Sequence, residues 1–213
     1  MRSNVPIVLH SQLPVTAETL ARLFDSLPEQ QKLRAQAMKP SRKSQYVVGR
    51  SLVLHYARTR SKESFELRER DELGPTLSID ETPVKISISH TKHHVVVAFS
   101  ELEIGVDIET IRGGWTANKA RLFCCSEEVD HGISIEPIEL RNRFFTQCWV
   151  RKEAFCKQRQ TSVFASEVQN KDLLEDDGVF DFELSVENGL SVFHLGSLYC
   201  LGNIDPKFEL VCL

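Results

Sequence analysis

Ile104-Gly105-Val106-Asp107-Ile108-Glu109 is the stretch on which the reading of this chain turns. As a strand it puts Ile104, Val106 and Ile108 on one face and Gly105, Asp107 and Glu109 on the other. Asp-x-Glu on a strand holds its carboxylates about 7 Å apart on the same side, so both can reach one ion. A solvated strand face would account for two lone acids equally well, because unpaired acids are seldom buried. A third acid changes the balance. Trp149-Val150-Arg151-Lys152-Glu153-Ala154-Phe155-Cys156-Lys157 reads as part of a helix from Arg141 to Arg159. Phe145, Trp149, Glu153 and Cys156 share one stripe of it, with Lys157 one turn beyond Glu153. A surface pair between Glu153 and Lys157 is the plain explanation, yet it leaves unexplained why an acid stands beside Trp149. Carboxylates gathered in one place repel and lose solvation unless a cation joins them. Mg²⁺ prefers such oxygen ligands and keeps positions for water and phosphate oxygens, so a magnesium-dependent phosphoryl-type reaction is the first expectation.

Outward from these stretches, Val84–Ser89, Val95–Phe99 and Ile104–Glu109 read as three strands joined by short connections, an antiparallel meander. Ser89-His90-Thr91 closes the first of them and offers hydroxyl and imidazole groups to phosphate oxygens, although a turn with a satisfied histidine is the blander reading. Upstream, residues 16–39 are helical in pattern with a break at Pro28. Pro40-Ser41 opens a second helix with Tyr46, Val47, Leu52, Val53, Leu54 and Tyr56 on its apolar side and Arg42, Lys43 and Arg50 as cations. A polar stretch, residues 60–72, ends at the turn Gly74-Pro75. Residues 112–140 are loop-rich, with a short helix at Ser126-Glu127-Glu128-Val129. Beyond residue 160, strands are expected at Val179–Val186, Leu190–Leu195, Leu198–Leu201 and Phe208–Cys212, with a turn at Asn188-Gly189. The order of elements points to an α+β fold in two halves, residues 1–110 and 111–213.

The 213 residues suffice for one large domain or two small ones, and 41 % hydrophobic with 26 % charged residues is ordinary for a soluble protein. No apolar run is long enough for a membrane span, and the first residues lack a secretory core, so a cytoplasmic protein is expected. Six cysteines without a Cys-x-x-Cys pair suit reduced core thiols better than zinc or disulfides. The net charge of −4 is uneven: residues 1–60 carry ten Lys/Arg against three Asp/Glu, and residues 161–213 carry two against ten. The basic first segment suits a polyanionic small molecule or an acidic protein, and the acidic end argues against nucleic acid. Neither a P-loop nor a Gly-x-Ser-x-Gly elbow is present, which argues against P-loop NTPases and α/β-hydrolases.

Taken in order, Ile86-Ser87-Ile88-Ser89-His90-Thr91, Ile104-Gly105-Val106-Asp107-Ile108-Glu109 and Trp149 to Lys157 resemble the 4'-phosphopantetheinyl transferases, and most closely their larger, single-chain branch. Gly49-Arg50-Ser51-Leu52-Val53-Leu54 is similar to a segment often found upstream in that family. The resemblance covers roughly residues 40–160. It implies two similar α+β halves related by a pseudo-two-fold, with coenzyme A in the cleft between them, in a protein that works as a monomer. It also implies that Asp107, Glu109 and Glu153 bind Mg²⁺, and that Arg42, Arg50, Ser89, His90 and Lys157 hold coenzyme A phosphates. One position departs from the pattern. The family often has a basic residue between the Gly and Pro of the turn before the Ser-His strand, whereas Gly74 and Pro75 are adjacent here, leaving Lys85 or Arg70 as substitutes.

The implied reaction moves 4'-phosphopantetheine from coenzyme A to a serine of an apo-acyl or peptidyl carrier protein and releases 3',5'-ADP. Glu153 or a metal-bound hydroxide takes the serine proton, and Lys157 stabilises charge on the leaving group. The basic residues 32–60 help dock an acidic carrier protein. Two rivals stand beside it: a non-catalytic carrier-protein or nucleotide-binding module of the same fold, and a metal-dependent phosphohydrolase.

Overall fold

A computed structural model describes residues 5–69, 74–173, 176, 178–185, 193–200 and 207–210. The chain is α+β and divides into two units, Met1–Leu102 with Pro206–Leu213, and Glu103–Asp205. The first unit ends at Leu102, and the last strand returns to it.

The first unit runs β1 (Ile7–Gln12), α1 (Ala17–Asp25), α2 (Glu29–Gln36), α3 (Pro40–Arg60), β2 (Phe65–Arg68), β3 (Thr76–Ile79), β4 (Thr82–His90) and β5 (His94–Ser100). Thr16 caps α1 by accepting from the Thr19 N–H at 3.1 Å, and Pro28 separates α1 from α2. Pro40 opens α3 at the first helical position, where its missing N–H costs nothing. Val47, Val48, Leu52, Val53, Leu54 and Ala57 of α3 are buried in one core with Leu9 of β1 and Val95, Val97 and Phe99 of β5. These strands belong to a sheet ordered β2-β3-β4-β5-β1-β9, where β9 (Lys207–Leu210) runs parallel to β1 and the other pairs are antiparallel. Strands β1, β2 and β3 were not expected. Both faces of β1 are largely covered, so no alternation marks it.

The second unit runs β6 (Ile104–Thr110), α4 (Ala117–Ala120), α5 (Ser126–Ser134), α6 (Ile138–Arg159), α7 (Ser166–Gln169), β7 (Val179–Ser185) and β8 (Phe193–Cys200). Its sheet is ordered β6-β8-β7 and is antiparallel throughout. The expected meander therefore stops at β5: β6 leaves the first sheet and pairs with β8, Asp107 opposite Ser197. The two strands expected around residues 196–197 are one strand, because Gly196 continues the ladder and leaves room for the Phe182 ring, whose atoms would stand 2.2 Å from a Cβ there. The turn expected at Asn188-Gly189 lies outside the described residues.

Helix α6 packs on β6 and β8. A polar ladder fixes it further: Arg151 pairs with Asp181 of β7 at 2.5 Å, and Gln147 donates to Asp181 at 2.7 Å and to Ser197 at 2.8 Å. Arg143 pairs with Glu183 on the same strand. The five described cysteines are buried, as expected of core thiols.

Candidate active site

Asp107 and Glu109 lie on the side of β6 that α6 approaches. Gly105 opens that side: a Cβ there would stand 1.9 Å from the Ala154 carbonyl oxygen and 2.7 Å from the Gln158 nitrogen. Strand and helix thus meet backbone to backbone, which only glycine permits. Glu153 and Lys157 immediately precede those two helix residues, so the same close approach carries them toward the strand acids.

Lys157 Nζ donates to Asp107 Oδ1 at 2.6 Å and to the Val106 carbonyl at 3.1 Å. The lysine therefore serves the strand acid as its ion-pair partner, where helix spacing alone suggested Glu153. Glu109 forms an ion pair with Arg112 and accepts from the Thr110 N–H at 2.9 Å. Among the described residues Glu153 has no direct hydrogen bond or ion pair of its own. Burial pushes its carboxyl up, and Asp107 and Glu109 push in the same direction, while Lys157 and Arg112 partly oppose them. Glu153 thus lies in the field of the two strand acids, with two cations set among them.

Arg112 was not singled out by sequence. Its backbone N–H donates to Thr146 Oγ1 of α6 at 3.1 Å, and its guanidinium lies 5.9 Å from the centre of the Trp149 ring. The usable signal was an arginine three residues after Glu109, ahead of Gly113-Gly114. Lys152 was also passed over. It is wholly buried, stands 3.1 Å from Glu128 of α5, and donates to the carbonyls of Val168 and Lys171. Glu128 in turn accepts from the Cys125 N–H at 2.9 Å, capping α5. The pair ties α5, α6 and the α7 segment together behind the acids.

A hard divalent ion suits this donor set, which offers only carboxylate oxygens. Glu153 is the donor whose charge is least compensated. Asp107 and Glu109 hold cations of the chain itself, and among the described residues no three His, Cys, Asp or Glu side chains are gathered closely enough to grip one ion. The residues fit a divalent ion in their chemistry, and ligation would exchange the two ion pairs for it.

The remaining expected residues belong to the first unit. His90 ends β4, and the guanidinium of Arg42, in the first turn of α3, donates to its Nε2. Burial and the nearby Arg50 charge lower the Arg42 value. Gln45 of α3 donates to the Thr91 carbonyl at 3.1 Å, and Thr91 Oγ1 accepts from the N–H groups of His93 and His94 at 3.1 Å each. The start of α3 is thereby tied to the turn that follows Ser89 and His90. Ser89 is buried on β4. Arg50 has a different setting from the phosphate-facing one expected: it grips Glu69 with two bonds of 2.5 and 2.8 Å and lies 4.5 Å from the Tyr46 ring centre. Burial raises the Glu69 carboxyl, but the bonds and charge of Arg50 outweigh it and hold the group below the usual carboxylate range. Lys85 is exposed on β4, and Arg70 lies outside the described residues.

No helix is long and apolar enough to cross a membrane among the described residues. A search of curated proteins finds no match to the chain. Residues 103–197 match the family model of the 4'-phosphopantetheinyl transferase superfamily. That segment contains Asp107, Glu109, Arg112, Glu153 and Lys157, and over it the chain is similar to the 4'-phosphopantetheinyl transferase superfamily.

Proposed function

We propose that the chain transfers 4'-phosphopantetheine from coenzyme A to a serine of an apo-acyl or peptidyl carrier protein, in a Mg²⁺-dependent reaction that releases 3',5'-ADP. The observation that carries this reading is the placement of Glu153 in the field of Asp107 and Glu109 inside the matched segment, with Lys157 held against Asp107. Mg²⁺ on these acids would neutralise the pyrophosphate of coenzyme A and polarise the phosphorus under attack.

The chain's own groups do the rest. The serine oxygen bonds to the phosphorus of the phosphopantetheine arm, and the bond from that phosphorus to the bridging oxygen breaks. Glu153, on the helix face that approaches the strand acids, would accept the serine proton. Lys157 supplies positive charge for the oxygen that leaves with 3',5'-ADP. Arg42, Ser89 and His90 are the phosphate-holding groups of the first unit, and Arg42, set against His90 Nε2, brings guanidinium donors suited to a phosphate dianion. Arg50, paired with Glu69, would join them on release from that acid.

The test is intact-mass analysis of several apo-carrier proteins incubated with the chain, coenzyme A and Mg²⁺. A gain of roughly 340 Da on one serine is expected, the increment of one phosphopantetheine group. Asp107→Ala should abolish the gain while the thermal transition stays cooperative. Coenzyme A binding without any mass gain would turn the reading toward a non-catalytic carrier-protein or nucleotide-binding module. Hydrolysis of coenzyme A without transfer would turn it toward a phosphohydrolase.

A further inference from the structure

The acids of the second unit are not arranged as a bare cluster, and the difference points to a role for Arg112. Glu109 is spanned by one short segment of chain: the Thr110 N–H bonds one carboxylate oxygen and the Arg112 guanidinium the other. The arginine's backbone is pinned to Thr146 on α6, and Thr146 is itself held by donating to the Asn142 carbonyl at 2.8 Å. Its side chain is half exposed at 51 %, so its charge can leave Glu109 without being stranded in a dry interior. The Trp149 ring, 5.9 Å from the guanidinium carbon, offers a second resting place that involves no acid.

We propose that Arg112 is a built-in counter-ion that competes with the divalent cation for Glu109, so that loading of the acidic site displaces its guanidinium. The inference rests on the reading of Asp107, Glu109 and Glu153 as cation ligands, and assigns to this chain a residue that sets the strength of that site. Lys157 does the corresponding duty at Asp107, but it is shorter of alternatives: its ammonium also bonds the Val106 carbonyl at 3.1 Å. Arg112 is the more exposed and the more readily displaced of the two cations, with side-chain exposure of 51 % against 30 %.

The experiment measures Mn²⁺ binding to the full chain by the loss of its free-ion electron paramagnetic resonance signal, without coenzyme A or carrier protein. Arg112→Gln should bind Mn²⁺ roughly tenfold more tightly than wild type, the size expected when one unit charge beside a divalent ion is removed in a largely hydrated setting. Arg112→Lys, which keeps the charge, should stay within about twofold to threefold of wild type. The difference between wild type and Arg112→Gln should shrink at high salt, where exposed charges are screened. Unchanged or weaker Mn²⁺ binding by Arg112→Gln overturns the proposal, as does equal tightening by Arg112→Lys. Thermal melts of both variants show whether the fold is kept. The outcome separates from that of the proposed activity. Tightened Mn²⁺ binding in a chain that transfers nothing would uphold the counter-ion and refute the transfer reaction, whereas active transfer with unaltered Mn²⁺ binding would do the reverse.

Discussion

Gly105→Ala is the sharpest probe of how this site is built, because two principles disagree on its sign. Replacing a strand glycine by alanine ordinarily stabilises by about 0.5–1 kcal/mol, since the unfolded chain loses less freedom on folding. Here the new Cβ would stand 1.9 Å from the Ala154 carbonyl oxygen. An ordinary carbon contact is about 3.5 Å, so strand and helix must part by more than roughly 1 Å. The atoms in the way are backbone, and no rotamer change can relieve them. Overpacking of this kind typically costs about 1–3 kcal/mol, and the upper end is expected where backbone meets backbone. For a chain of this length, a loss of about 3 kcal/mol lowers Tm by roughly 6–12 °C. The parting also draws Glu153 and Lys157 away from Asp107, so Mn²⁺ binding should weaken at temperatures where the variant is fully folded. Thermal melts with and without Mn²⁺ read both effects. A Gly105→Ala variant as stable as wild type, or more so, would refute the close approach of α6 to β6 and the account of the site built on it.

Glu153→Gln should lower transfer by about 10² or more, because a near-isosteric amide cannot accept the serine proton. The same variant has a signed pH dependence. The folded chain raises the Glu153 carboxyl, so the wild type's contribution from this group is fully present below the unfolded value, near 4.3, and is lost as pH rises through the raised folded value. The Tm of Glu153→Gln relative to wild type should therefore climb as pH is raised from about 4 to about 7 without metal, and a falling difference would count against burial of the acid. Lys152→Met strands Glu128, which is 1 % exposed, and should cost about 3–5 kcal/mol in urea unfolding. Adding Glu128→Gln should recover part of that loss, and a strictly additive double variant would refute the pairing. Cys124, Cys148 and Cys156 should resist alkylation in the native chain and react on unfolding, since the bond to Cys148 and then burial raise the Cys124 thiol, and burial pushes Cys156 up to about 12. Rapid native labelling of these three, read by peptide mass mapping, would contradict their burial.

What the sequence discloses about this site depends on whether a residue breaks a local pattern. Asp107 and Glu109 interrupt a strand otherwise buried, and Glu153 interrupts an apolar helix stripe, so the acids were legible one element at a time. Helix α3 was legible for the same reason, through its Pro40 start and its apolar side. The pairing of β6 was not, because the short connection from β5 favours a hairpin locally, while the true partner is β8, with Asp107 opposite Ser197. Strand β2, Phe65-Glu66-Leu67-Arg68, alternates apolar and charged residues for only four positions inside a polar stretch, too briefly to stand out. Lys152 did leave a trace. Phe145, Cys148 and Lys152 are spaced as one helix face, and all three are buried, so a lysine at that place calls for a buried acid from elsewhere.

The acids and their counter-charges differ in how they are encoded. Within α6, the four-residue spacing from Glu153 to Lys157 suggests a pair on one helix, and a local rule can see no further. The folded chain instead gives Lys157 to Asp107, fifty positions away in sequence, and gives Arg112 to Glu109. The first choice follows from Gly105, which lets α6 come so near to β6 that a lysine on the helix reaches the strand acid, and the second is a contact between residues three apart. Among the described residues Glu153 is left as the acid without a direct ion pair, facing the field of two others. That inequality among three carboxylates is a property of the packing. On the proposed reading it would also divide their duties, between two strand acids that exchange their own cations for an incoming ion and one helix acid that faces the nucleophile.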